Sequence, residues 1–132
     1  MAEDLDLVFG TAEVRLYAPL GAGRANEAGL SVLCGTDGFT ALLTGDMDET
    51  VEKRLVKYGD LPDVDLLVAG HHGAKSSTSQ LLLEEVTPEV LVISSGYNTF
   101  GHPNPDTLRR AAAMGCGIYR TDLQGNITIT VG

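Results

Sequence analysis

The sequence, 132 residues long, predicts an α/β chain: a mixed β-sheet with flanking helices. Three observations lead there. Phe39 to Leu43 and Val64 to Ala69 are apolar runs of strand length, and unbroken apolar runs mark strands buried on both faces, as in parallel pairing. Across the second half of the chain, strand-like runs alternate with segments carrying helix caps and apolar stripes. In the first half, two apolar runs are joined by a glycine-containing turn of the kind that closes antiparallel hairpins.

In chain order, Asp6 to Gly10 and Ala12 to Pro19 read as short strands, the second alternating Val14, Leu16 and Ala18 with Arg15 and Tyr17. Leu20 to Ala28 lacks periodicity and reads as a loop. Leu30 to Cys34 and Phe39 to Leu43 form a predicted hairpin over Gly35-Thr36-Asp37-Gly38. A helix is expected from Glu49 to Tyr58. Asp48 caps it, Val51, Leu55 and Tyr58 give its apolar stripe, and Gly59 stops it. Ser76 to Ser79 offers N-caps for a helix from Gln80 to Val86, which ends before Pro88. Glu89 to Ser94 reads as a strand and Gly96 to Pro103 as a loop. Asn104 caps and Pro105 opens a helix that runs to about Met114, with Gly115 ending it. Gly117 to Thr121 and Asn126 to Val131 are expected to close the chain as a hairpin over Asp122 to Gly125.

Composition narrows the functional classes. A content of 43% hydrophobic and 20% charged residues is that of a globular chain, and the length suits one domain, residues 1–132. No apolar run reaches the ~20 residues of a spanning helix. The acidic start, Glu3-Asp4, is not that of a signal peptide. A formal net charge of −9 argues against a broad basic face for nucleic acid, although bound cations would alter the local field. Cys34 and Cys116 form no CxxC and read as buried thiols.

Chemistry-bearing residues gather after the strands. Thr44-Gly45-Asp46 follows the first apolar run and Gly70-His71-His72-Gly73 the second. A carboxylate and an imidazole delivered to one sheet edge suit a zinc or manganese site. Each residue also has a plainer reading. Asp46 could cap the next helix. Adjacent histidines on extended backbone point to opposite sides, so only one of His71 and His72 need face a metal. His102 could be a surface loop residue, and Asp122 a turn residue. Their shared position near strand ends favours a common site.

The order Leu42-Leu43-Thr44-Gly45-Asp46, His71-His72-Gly73-Ala74-Lys75-Ser76-Ser77, Gly101-His102-Pro103 and Tyr119-Arg120-Thr121-Asp122-Leu123-Gln124-Gly125 resembles the metallo-β-lactamase-like domain of the ComEC-type competence proteins, membrane proteins of DNA uptake. The resemblance runs from about Asn26 to Val131. It implies that the fold is the C-terminal part of an αββα sandwich, with Asp46 bridging two metals and His72 or His71 a terminal ligand. It also places Asn26, Lys75, Ser76, Ser77, His102 and Asp122 around the substrate. The cofactor implied is divalent zinc or manganese in the intact domain, and the partner is DNA. The parent would lie in the cell membrane with this domain on the extracytoplasmic side, the segment itself being soluble.

The superfamily's upstream His-x-His-x-Asp-His motif has no counterpart here, since the histidines are His71, His72 and His102. Weak metal binding and no activity are therefore expected of this chain alone. In the intact domain, metals would lower the pKa of a bridging water. Asp46 would hold both ions and His72 one, while His102 or Lys75 would bind phosphate oxygens or assist the leaving group. Competing readings are another hydrolase of the superfamily, such as a phosphorylcholine esterase, and a non-catalytic α/β docking module. The apolar strands carrying Leu30, Val32, Leu42, Leu66, Val68, Leu91 and Ile93 outnumber the helices available to cover both faces, which predicts a homo-oligomer.

Overall fold

The structure, a computed structural model, describes residues 5–17, 31–36, 38–96 and 101–130. Seven strands form one mixed sheet whose spatial order is the order of the sequence. They are β1 (Leu5–Phe9), β2 (Ala12–Tyr17), β3 (Ser31–Thr36), β4 (Phe39–Leu43), β5 (Leu66–Val68), β6 (Val90–Ile93) and β7 (Gly117–Arg120). The pairs β1–β2, β2–β3 and β3–β4 are antiparallel, and β4–β5, β5–β6 and β6–β7 are parallel. Thr36 pairs with Phe39, so the predicted hairpin closes over two residues, with Gly38 at φ 82°.

Helices α1 (Glu49–Tyr58), α2 (Gln80–Val86) and α3 (Pro105–Ala113) fill the parallel connections. Successive right-handed crossovers that step the same way along a sheet place every helix on the same face. The burial pattern agrees. Leu42, Leu67, Leu91 and Ile93 have no exposed surface and pack with Val51, Leu55, Leu82, Leu83, Val86 and Ala111. The expected caps are present: Asp48 accepts from the Val51 N–H, Ser79 from Leu82, and Asn104 from Asp106. Gly59 ends α1 for a reason other than the left-handed turn that usually selects glycine. Its φ is −85°, and an added Cβ would lie 2.6 Å from the Leu55 carbonyl oxygen.

Among the described residues, the opposite face carries no helix. By the strand register it presents Val14, Leu16, Val32, Cys34, Leu43, Leu66, Val68, Val90, Val92 and Tyr119. All of them are half-buried or exposed, with Leu43 at 38% and Tyr119 at 43%. Cys34, expected to be buried, sits on this face, while Cys116 is buried as expected and donates its thiol to the Pro88 carbonyl.

The expected C-terminal hairpin does not form. After β7 the chain makes a helical turn, α4 (Thr121–Gln124), and residues 125–130 add no strand. The Arg120 N–H is taken by the Gln124 side chain, and the Thr121 hydroxyl donates to the Ser95 carbonyl while accepting from the Ser95 N–H. The tail instead crosses the helix-free face. There Ile127, Thr128 and Ile129 wall a cavity of about 300 Å³ with Phe39, Leu66, Val90 and Tyr119. Covering apolar surface wins over a further pair of strands.

Candidate functional site

The turn after β4 is built on Thr44, which is buried and donates its hydroxyl to the Val68 carbonyl of the neighbouring strand at 3.0 Å. Gly45 takes φ 59°, and the next residue, Asp46, stands exposed. Asp48, two residues on, accepts the capping bond of α1, so capping does not account for Asp46.

The turn after β5 is docked onto the first. The His71 N–H donates to the Gly45 carbonyl at 2.7 Å, and a Cβ on Gly70 would lie 3.0 Å from the Met47 carbonyl oxygen and 3.1 Å from the Thr44 hydroxyl. The two histidines are not on extended backbone. Both are left-handed, His71 at φ 48°, ψ 46° and His72 at φ 55°, ψ 29°, so the expectation of opposed side chains fails. Their ring centroids are 6.3 Å apart. Consecutive left-handed residues other than glycine cost energy and persist only where surrounding contacts impose them, a pattern that collects at functional sites.

The His72 Nδ1 lies 2.6 Å from the Ser94 carbonyl oxygen at the end of β6. A carbonyl only accepts, so Nδ1 carries the hydrogen and a neutral His72 has the lone pair on Nε2. Metal-binding histidines are held in this way. His102 arrives from the loop before α3, its ring edge-on to His71 with centroids 5.2 Å apart. Burial, and then repulsion from His71 and His72, holds its pKa below the ordinary histidine value.

Lys75 is 73% exposed at its side chain and stands 3.7 Å from Asp106, which Arg109 also contacts. Ser76 is exposed. Ser77, expected to line the site, is instead buried and donates its hydroxyl to the Met47 carbonyl at 2.6 Å. Asp122 follows β7 and pairs with Arg120 at 2.7 Å, the guanidinium holding its carboxyl below the usual carboxylate range. It joins the other residues only indirectly, since its neighbour Thr121 bonds Ser95, whose hydroxyl donates to the His102 carbonyl. Asn26 lies outside the described residues.

The structure thus brings His71, His72 and His102 together over the docked turns that carry Asp46. Among the described residues, no three His, Cys, Asp or Glu side chains converge as a ready metal cage. Asp46 and His72 suit a metal by donor chemistry and tautomer, but they supply fewer donors than a closed site requires. The sequence reading missed Ser94 and Ser95. Their signal was positional, since they follow β6 just as Asp46 and the histidines follow β4 and β5.

No protein-family model matches the sequence. The chain is 42% identical over 105 residues to competence protein ComA of Neisseria gonorrhoeae, 30% over 103 to ComE operon protein 3 of Bacillus subtilis, and 33% over 108 to recombination protein 2 of Haemophilus influenzae. These matches take in 78%, 77% and 80% of the chain but only 15%, 13% and 14% of the relatives, so it corresponds to a small segment of each. Among solved structures it is similar to CmlA, a diiron β-hydroxylase from Streptomyces venezuelae. The TM-score is 0.58 at 14% identity, over 90% of this chain and 32% of that one. The shared fold is the metallo-β-lactamase one, here a seven-stranded mixed sheet with flanking helices.

Proposed function

Because the chain belongs with the ComEC-type competence proteins as a homologue of one segment of them, we propose that it is part of a metal-dependent hydrolase domain acting on DNA phosphodiesters during DNA uptake. The observation that carries this reading is the His72 imidazole, fixed by Ser94 with Nε2 available, on a turn docked against the one bearing Asp46. Asp46 and His72, with His71 beside them, are the ligands this segment contributes, and the remaining ligands come from elsewhere in the longer protein. A divalent zinc or manganese held there would supply a water acidic enough to yield hydroxide near neutral pH.

Of the other residues, His102, Lys75 and Ser76 act on the substrate directly. His102, its pKa held below the ordinary histidine value by burial and the neighbouring histidines, moves a proton at the leaving oxygen. Lys75 sets a positive charge against phosphate oxygens, and the Ser76 hydroxyl donates to them. Asp122 acts at the margin by orienting Arg120. The longer protein resides in the cell membrane and presents this domain on the extracytoplasmic side. No helix among the described residues is long and apolar enough to cross a membrane.

The test uses the longer protein with bis(p-nitrophenyl) phosphate and manganese. Hydrolysis is expected, lost with EDTA and reduced ~100-fold or more by Asp46→Ala or His72→Ala. Undiminished turnover in both variants refutes the reading. The 132-residue chain alone is expected to bind zinc weakly in calorimetry after dialysis, and tight uptake of two ions would contradict the shared-ligand account.

The helix-free face supports a second reading, in which this segment on its own is a docking module that pairs with itself. Each ~100 Å² of apolar area removed from water contributes ~2.5 kcal/mol before association entropy is subtracted. The charge of −9 opposes pairing, but screening at ~0.15 M salt limits its reach to about 8 Å. Sedimentation equilibrium is expected to show a homodimer or larger species that Val32→Lys returns to monomer. A monomer at high micromolar concentration sinks it.

A further inference from the structure

The loop between the histidine turn and α2 has its backbone polar groups taken up from two sides. On one side stands α3, which offers Asn104, Thr107 and Arg110 at three-residue spacing along one helix face. The Asn104 N–H donates to the Gly73 carbonyl at 2.8 Å, and the Thr107 hydroxyl to the Ala74 carbonyl at 2.9 Å. The Arg110 guanidinium reaches the carbonyls of Lys75 (3.1 Å), Ser77 (2.9 Å) and Thr78 (3.2 Å). On the other side stands α1. Its Glu49 N–H donates to the Ser76 carbonyl, and the carboxylate of Glu52, with no exposed surface, accepts the N–H groups of Thr78 (2.6 Å) and Ser79 (2.8 Å).

A fully buried carboxylate costs free energy unless it is hydrogen-bonded and offset by charge. A leucine would fill this position in α1 at no such cost. Core packing therefore leaves Glu52 unexplained, whereas the loop explains it, because Thr78 sits at φ 54° and turns its N–H inward. Arg110 presents the complementary fork: one planar group serves three carbonyls that a single ammonium could not reach together.

We propose that Glu52 and Arg110 are positioning residues: together they clamp residues 74–79 from opposite sides and so fix where Lys75 and Ser76 project beside the histidines. The consequence for phosphate binding rests on the hydrolase reading above, while the clamp itself does not.

The test is backbone NMR of the 132-residue chain with Glu52→Gln and Arg110→Lys. Glutamine keeps the size but turns one acceptor into a donor facing an N–H. In both variants the order parameters of the Lys75 and Ser76 amides are expected to fall from about 0.85 to below about 0.6. Thr78 and Ser79 amides are expected to exchange at least ~10-fold faster, while Leu67 and Leu91 amides stay within ~3-fold of the unsubstituted chain. A loop that stays rigid in both variants overturns the proposal. Should both variants unfold, the unsubstituted chain decides. Loop amides as protected as those of Leu67 and Leu91 support the clamp, and freely exchanging ones overturn it. No turnover is needed for this readout, so it succeeds or fails apart from the hydrolase reading.

Discussion

Gly73 closes the histidine turn at φ 79°, and a Cβ built there would lie 2.7 Å from the Pro103 Cβ, 3.1 Å from its Cα and 3.2 Å from the Ile93 Cγ2. Gly115, which ends α3, has nearly the same backbone, φ 81°, but open space where a Cβ would go. The two alanine variants therefore share the left-handed penalty of about 1 kcal/mol and differ in the collision. Carbon atoms in contact rest ~3.5–4.0 Å apart, so Gly73→Ala must push the Pro103 ring away by roughly 1 Å. Ile93 lies fully buried behind the position and gives little way. Overpacking of this kind costs a further ~1–3 kcal/mol. Gly73→Ala should therefore lose about 2–4 kcal/mol and Gly115→Ala about 1. The assay is urea unfolding at one fixed protein concentration, where a slope of ~1–3 kcal/mol/M places the two midpoints roughly 1 M apart. Coincident midpoints with unchanged slopes would show that Pro103 is not packed on the turn, and the account of how His102 reaches His71 would go with it.

The remaining predictions concern titration and reactivity. His102 should titrate below the ordinary histidine value, and His71→Ala should raise its midpoint in NMR, but only partly, because burial is the larger cause. A midpoint that stays put removes the proposed repulsion. Burial raises the pKa of Glu52 against the pull of the Ser79 and Thr78 N–H groups and of Arg110, so the folded state holds that proton to higher pH than the unfolded state. The stability of the unsubstituted chain relative to Glu52→Gln should then fall as pH rises from the ordinary glutamate value of 4.5 through the folded value. A relative stability that rises in urea titrations across that window would reverse the sign and refute it. Cys34, on the helix-free face, should react with a thiol reagent in the native state, and more slowly as protein concentration rises if that face pairs. Cys116, buried and with its pKa raised by burial, should react only after unfolding. Equal native rates would contradict the assigned faces.

How much was legible follows from how local each signal is. The three helices with caps at Asp48, Ser79 and Asn104 were readable because a cap and an amphipathic stripe are written within a few residues. The hairpin over Gly38 was readable for the same reason. The tail was misread because Ile127 and Ile129 alternate with polar residues as a strand does. What decides their place is a distant apolar face, which no local window contains. The histidine turn shows the limit at the site. Gly70, His71, His72 and Gly73 could be seen to follow a strand, but their left-handed backbone comes from docking onto Gly45 and Met47, more than twenty residues earlier. Ser77 shared the chemistry of Ser76 on paper, and only the packing of α1 against the loop separates a buried structural hydroxyl from an exposed one.

The sheet's spatial order repeats the order of synthesis from β1 to β7. No strand has to be threaded between two that are already paired, so the sheet can grow at a single advancing margin as the chain leaves the ribosome. The antiparallel half comes first, and its β1–β2 and β3–β4 hairpins each close over two residues, which is fast. Each later parallel strand then brings its own helix to seal one side as it docks. The turns bearing Asp46, the histidines and Ser94 are laid down in that same sequence, so the histidine turn meets a finished Thr44–Met47 platform when it emerges. A chain interrupted just after Ser94 would already hold that platform and the carbonyl that receives the His72 ring, and would still lack His102, α3 and β7.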